Sequence, residues 1–153
     1  MRTYTGGCAC GAVRFEAVGE PLRTGLCHCM TCRKHHGSAF NPFAVFRAED
    51  VLIAGTLRPW SSSDHATRSS CEICSSPICQ REDDGSEIEL HLGSFDEPSV
   101  FAPAYENWVP HREAWLPQLG LPQRQTDMGH ERRHRLDQLD DKGSSSSSIQ
   151  AGA

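Results

Sequence analysis

Seven of the eight cysteines in this 153-residue chain fall into three tight groups. They read Cys8-x-Cys10, Cys27-x-Cys29-x2-Cys32 and Cys71-x2-Cys74, with Cys79 standing apart. Thiolates two or three residues apart can converge on one ion, because a Zn–S bond is only about 2.3 Å long. A structural zinc takes four protein ligands, usually as two pairs from separate segments. Cys8, Cys10, Cys71 and Cys74 make such a set. Cys27, Cys29 and Cys32 supply three thiolates and leave a fourth position for water or substrate, the arrangement of a catalytic zinc. Two Zn2+ per chain are therefore expected. Spacing alone also allows Cys79 to complete the second set, which makes both sites closed and structural. The rival to metal is a disulfide framework. Met1–Gly7 lacks the apolar core of a secretory signal, so a reducing, cytoplasmic setting is expected, where dense cysteine points to metal.

Other reactive side chains lie beside the triple-cysteine group. His28 sits between two of its cysteines and has an imidazole suited to proton transfer, although it equally suits a residue that orients the loop. Arg33 and Lys34 are candidates for holding a carboxylate. His35 and His36 are expected to face solvent. His91 alternates with apolar neighbours and is expected on a surface. Trp60, Trp108 and Trp115 read as core or pocket wall, and the serines at 61–63 as loop.

These groups need short, turn-rich elements to position them. Val13, Phe15 and Ala17 alternate with Arg14 and Glu16, the pattern of a half-buried strand. Ile88, Leu90 and Leu92 alternate with polar residues in the clearest strand of the chain. Thr31–His36 suits a short helix, and Asn41-Pro42 suggests an edge strand or bulge. Thr67–Cys71 and Pro77–Arg81 flank the third cysteine group as a hairpin around a metal knuckle. Short strands at roughly 8–12-residue spacing predict a mainly β domain with few short helices. The domain is placed at residues 1–124, and 125–153 is read as a charged, then serine-rich tail with a frayed helix over 130–142. The net charge of −5 argues against a nucleic-acid partner. No apolar run is long enough to cross a membrane as a helix.

Taken together, the motifs resemble the glutathione-dependent formaldehyde-activating enzyme family, which includes centromere protein V. The likeness runs through Gly6-Gly7-Cys8-x-Cys10-Gly11-Ala12-Val13-Arg14-Phe15 and Cys27-His28-Cys29-x2-Cys32-Arg33-Lys34-x2-Gly37-Ser38-Ala39-Phe40. It continues through Cys71-x2-Cys74, Leu92-Gly93-Ser94-Phe95-Asp96-Glu97-Pro98 and Trp108-x3-Arg112-x2-Trp115-Leu116. The resemblance implies several small coiled antiparallel β-sheets organised around zinc knuckles. It implies a structural zinc at Cys8, Cys10, Cys71 and Cys74, and a catalytic one at Cys27, Cys29 and Cys32. The implied activity is that of a carbon–sulfur lyase joining formaldehyde to glutathione as S-hydroxymethylglutathione, with a small-molecule thiol and aldehyde as partners. The chain departs from the family pattern in two places. Ser75-Ser76-Pro77 and Cys79 stand where Gly-Thr-Pro and an aromatic are common, and Glu106 stands where many members carry histidine. The competing reading is a non-catalytic zinc module that binds a protein partner, with both sites closed.

Overall fold

The computed structural model describes residues 1–127. Most of the expected tail, including the helix over 130–142, lies outside the described residues. The chain folds as β1 (Thr3–Gly7), β2 (Arg14–Val18), β3 (Arg23–Cys27), α1 (Met30–His36), β4 (Asn41–Arg47) and β5 (Val51–Ala54). It continues with β6 (Leu57–Ser63), β7 (Ala66–Cys71), β8 (Pro77–Glu82), β9 (Glu87–His91) and β10 (Glu106–Asn107). The protein is mainly β, as expected. A three-stranded sheet has the order β1-β2-β5, and a seven-stranded sheet the order β10-β3-β4-β9-β8-β7-β6. All neighbours pair antiparallel except β10, which runs parallel to β3.

The two faces of the large sheet differ in chemistry. Side chains alternate across a strand, so Ala44 and Phe46 of β4 and Ile88 and Leu90 of β9 share one face. They pack with Tyr4, Val13, Phe15, Ala17 and Val51 from the small sheet and its hairpin. Burying each of the large members contributes about 1.5–3 kcal/mol, so this layer carries the fold. The opposite face carries Arg23, Cys27, Phe43, Val45, Arg68, Gln80, Glu87 and Glu89, which together line one cavity.

Several expectations change here. His91 is 3% exposed rather than on the surface. Its strand is interior to the large sheet, and the polar side of β9 meets a second layer of protein rather than water. His36 is only half-buried on α1, but its ring meets His91 edge-on at 4.3 Å. Burial pulls its pKa down to about 4. His35 stacks on Trp60 at 5.7 Å, so neither histidine is simply solvated. Trp60 and Trp115 are exposed, at 47% and 69%, because one lies on an edge strand and the other outside any strand. Ser61–Ser63 belongs to β6 rather than to a loop. β4 is likewise interior rather than an edge. Its Pro42 pairs with Leu26 of β3 but precedes the pairing with β9, which begins at Phe43. The missing proline N–H therefore breaks no bond to β9.

Candidate metal centres and substrate cavity

The first cysteine set is built from two hairpin turns. Cys8 and Cys10 lie in the turn between β1 and β2. The Cys8 N–H donates to Val13 O at 3.0 Å, and the Gly11 N–H to Cys8 O at 3.1 Å. Gly11 has φ of 80°, the left-handed conformation that glycine adopts without penalty. Cys71 ends β7, and Cys74 lies in the turn that leads to β8. There the Ser75 N–H donates to Cys71 O at 3.0 Å, and Ser75 itself takes φ of 61°. The Ala9 N–H donates to Ser76 Oγ at 3.1 Å and ties the two turns together.

The four sulfurs lie within 4.8 Å of one another. Sγ of Cys8 and Cys10 are 3.5 Å apart, and those of Cys10 and Cys71 are 3.8 Å apart. Four sulfurs around a tetrahedral zinc at about 2.3 Å stand about 3.8 Å apart. The residues present therefore fit a closed zinc site, and this site joins the small sheet to the large one.

The second set gathers where β3 runs into α1. Cys27 ends β3 and pairs with Asn41 on one side and Asn107 on the other. Cys29 is the N-cap of α1, its sulfur accepting from the Cys32 N–H at 3.3 Å. The helix turn thus folds Cys32 back onto the two preceding sulfurs. All three are buried and lie within 4.8 Å of one another. Hydrogen bonding to its neighbouring thiols, then burial, holds the Cys27 thiol well above its ordinary pKa. Three crowded sulfurs ionise together only when a cation balances them, so this donor set also fits zinc.

Cys79 belongs to neither group. It sits in the core at 1% exposure, where burial pushes its thiol up to about 11. Among the described residues the second set therefore has three sulfurs and no fourth histidine, cysteine or carboxylate.

Two of those cysteines, Cys27 and Cys32, face the polar cavity of about 360 Å3. Tyr105 and Trp108 add aromatic wall to it. Arg23, Arg68, Glu87 and Glu89 are among the ionisable residues that line it. Arg23 is ion-paired with Glu87. Arg68 is 1% exposed and donates from Nη2 to Cys32 Sγ at 3.4 Å and from Nε to Ser62 Oγ at 3.1 Å. Burial, then the neighbouring Cys32 sulfur, pushes the Glu89 carboxyl up to about 8. Asn41 Nδ2 donates to Glu89 Oε1 at 3.1 Å and also lies 3.2 Å from His91 Nδ1.

His28 lies one residue beyond Cys27 and packs against Phe40 at 5.8 Å. It is 1% exposed, with Nε2 3.0 Å from Glu106 Oε1. Arg33 donates to the carbonyl of His111 at 2.7 Å and is ion-paired with Glu113. Lys34 is exposed on α1. Neither basic residue is among those lining the cavity.

Glu106 organises the back of the site. Its Oε1 accepts from Arg112 Nε at 3.1 Å as well as meeting His28, and its Oε2 accepts from Gln123 at 3.2 Å. Burial raises its pKa, but donation from Gln123, Arg112 and His28 outweighs it, leaving the carboxyl below its ordinary value. Glu106→Ala removes an acceptor from buried His28 and from Arg112 Nε, while the Arg112 Nη atoms keep the carbonyls of Leu116 and Pro117. It should cost about 1–3 kcal/mol, read by urea unfolding of the zinc-loaded protein. A pKa depressed in the folded state gives stability above the ordinary carboxyl value of 4.5. That share is lost as pH falls below it, and the alanine variant should lack this part of the acid sensitivity.

Residues 3–111 match the family described as glutathione-dependent formaldehyde-activating enzyme. The chain belongs to that family. A Schizosaccharomyces pombe protein described as an uncharacterized lyase is 31% identical over 78 residues, which are 51% of this chain and 57% of that relative. The chain thus matches only a little over half of the relative's length. A crystal structure of a Rhodobacter sphaeroides protein aligns with a TM-score of 0.52 and 22% identity, over 63% of this chain and 91% of that one, and shows the shared fold. Within the family frame, sequence reasoning missed Arg68 and Glu89. The only signal for them was charge on strands that otherwise read as half-buried.

Proposed function

We propose that the protein is a zinc-dependent enzyme of carbon–sulfur lyase type, joining a thiol to a small aldehyde, with glutathione and formaldehyde as the first substrates to test. The observation that carries this reading is a three-sulfur set with no fourth protein ligand among the described residues, two of whose members open onto a cavity. Family membership and the lyase-named relative support it. The non-catalytic alternative needs a fourth ligand at the second set, and Cys79 lies in neither group.

In this reading Cys27, Cys29 and Cys32 hold the second zinc, and Cys8, Cys10, Cys71 and Cys74 the structural one. Bound zinc stabilises a substrate thiol as thiolate at neutral pH. Tyr105 and Trp108 cover the thiol and exclude water. His28, the first candidate for proton transfer by sequence, takes the role of orienting the cysteine loop through Glu106. The proton falls to Glu89 instead. Its Oε1 accepts from Asn41, and the residue lines the cavity with Cys27 and Cys32. Arg33 clasps α1 to the segment around Glu113, and the anion-binding role first assigned to Arg33 and Lys34 passes to Arg23, which lines the cavity.

The test is adduct formation by exchange NMR, with zinc-replete full-length protein, glutathione and formaldehyde. A rate above the spontaneous one is expected. Excess rate only with a different thiol corrects the substrate, and no excess with any thiol and small aldehyde sinks the reading.

A further inference from the structure

One buried polar group in the cavity is a guanidinium with a spare donor. Arg68 projects from β7 and is almost completely enclosed, at 1% exposure. Two of its three nitrogens are engaged, Nε by Ser62 Oγ and Nη2 by Cys32 Sγ. Nη1 is buried and has no hydrogen-bond partner. A buried donor without an acceptor costs about 1–3 kcal/mol, so such a group calls for an explanation. Ser62 is itself 1% exposed, and its hydroxyl donates to the Ala66 carbonyl at 3.3 Å, so the guanidinium is held in a fixed plane. Arg68 lines the same cavity as Cys27 and Cys32. A guanidinium is rigid and planar. With Nη2 on a cluster sulfur, Nη1 sits immediately beside the cluster and cannot reach a group far along a bound peptide.

We propose that Arg68 Nη1 is the donor for an oxygen carried next to the substrate sulfur, and that it stabilises the negative charge this oxygen acquires in the reaction. The inference rests on reading the cavity as the substrate site. In the addition step the thiolate sulfur lends an electron pair to the aldehyde carbon, forming the C–S bond. The carbonyl π pair moves onto oxygen, and that oxygen then takes a proton. The proton lost by the thiol goes to solvent and solvent reprotonates the donor, so nothing is oxidised or reduced. Arg68 keeps its own protons throughout, because a guanidinium does not release them in proteins.

The test compares two small thiols as ligands of the zinc-replete full-length protein by calorimetry. Mercaptoacetate places an oxygen anion two carbons from sulfur, and ethanethiol lacks it. The wild type is expected to prefer mercaptoacetate at least about tenfold, the worth of one charge-assisted hydrogen bond. In Arg68→Met, compared at equal zinc content, the preference for mercaptoacetate over ethanethiol should vanish. Equal binding by the wild type, or a preference that survives in Arg68→Met, overturns the inference. If Arg68→Met does not fold, Arg68→Lys decides. An ammonium cannot serve Ser62, Cys32 and a third acceptor in one plane, so the preference should drop several-fold, and full retention overturns the inference. With glutathione and formaldehyde, Arg68→Met should lower kcat about 100- to 1,000-fold at unchanged KM, the effect of losing one oxyanion donor. A raised KM with kcat intact marks a remote carboxylate contact instead and overturns the inference. An Arg68-dependent preference in a protein with no excess rate leaves the inference standing and removes the aldehyde reaction. Excess rate without the preference removes the inference alone.

Discussion

Cys29→Ser should give a folded chain that holds one zinc rather than two and has no turnover above the spontaneous rate. The reason lies in the two jobs of this residue. Its sulfur is the middle member of the three-sulfur set, and it also caps α1 by accepting from the Cys32 N–H. Serine is a poor zinc ligand but among the best N-caps, so the helix start survives while the metal set drops to two sulfurs. The substitution therefore separates metal from fold at a position with 0% exposure. Metal content by emission spectrometry, thermal unfolding and exchange NMR on one sample check it. A variant that keeps two zincs and full turnover defeats the assignment of this set.

Cys71→Ser should have a larger effect on stability and none that is specific to chemistry. Cys71 is 0% exposed, and its N–H and carbonyl close the β7–β8 turn through Ser76 and Ser75. Zinc binding at structural sites of small domains is worth about 10–16 kcal/mol in apparent free energy. Whole domains are stable by only about 5–15 kcal/mol. Losing this site is therefore comparable to the entire stability, and the variant is expected unfolded or insoluble. Circular dichroism on the purified or refolded chain is the check. Native spectra and an unchanged melting temperature would show that the four sulfurs do not carry the fold.

The two cysteine sets were readable from spacing because ligand distances are short and turns are local. The strand pattern was readable for the same reason, since alternation in Glu87–His91 reports a sheet with two unlike faces. What alternation cannot report is what lies against the polar face. His91 looks like a surface residue in sequence, yet His36 of α1 packs on it, and Glu89 beside it lines the cavity with Cys27 and Cys32. Arg68 escaped notice because one charged residue in Ala66–Cys71 resembles any surface arginine. Its significance comes from Cys32, which is 36 residues away in sequence and adjacent only after the sheet forms. Glu106 stood out as a departure from the family pattern, but its partner Gln123 lies beyond the matching residues 3–111.

The corner where the two sheets meet also sets a timetable for synthesis. Cys10 and Cys71 touch across 61 residues of chain. Ribosomes add roughly 5–20 residues per second, so the first knuckle waits about 3–12 s for its partners. Each hairpin can form within about 1–10 μs of emerging, so both sulfur pairs are turned long before they can meet. During that interval Cys8 and Cys10 make an exposed two-sulfur clip. The nascent chain is then most open to oxidation or to the wrong metal, and a cell short of zinc would lose this protein at birth rather than after folding.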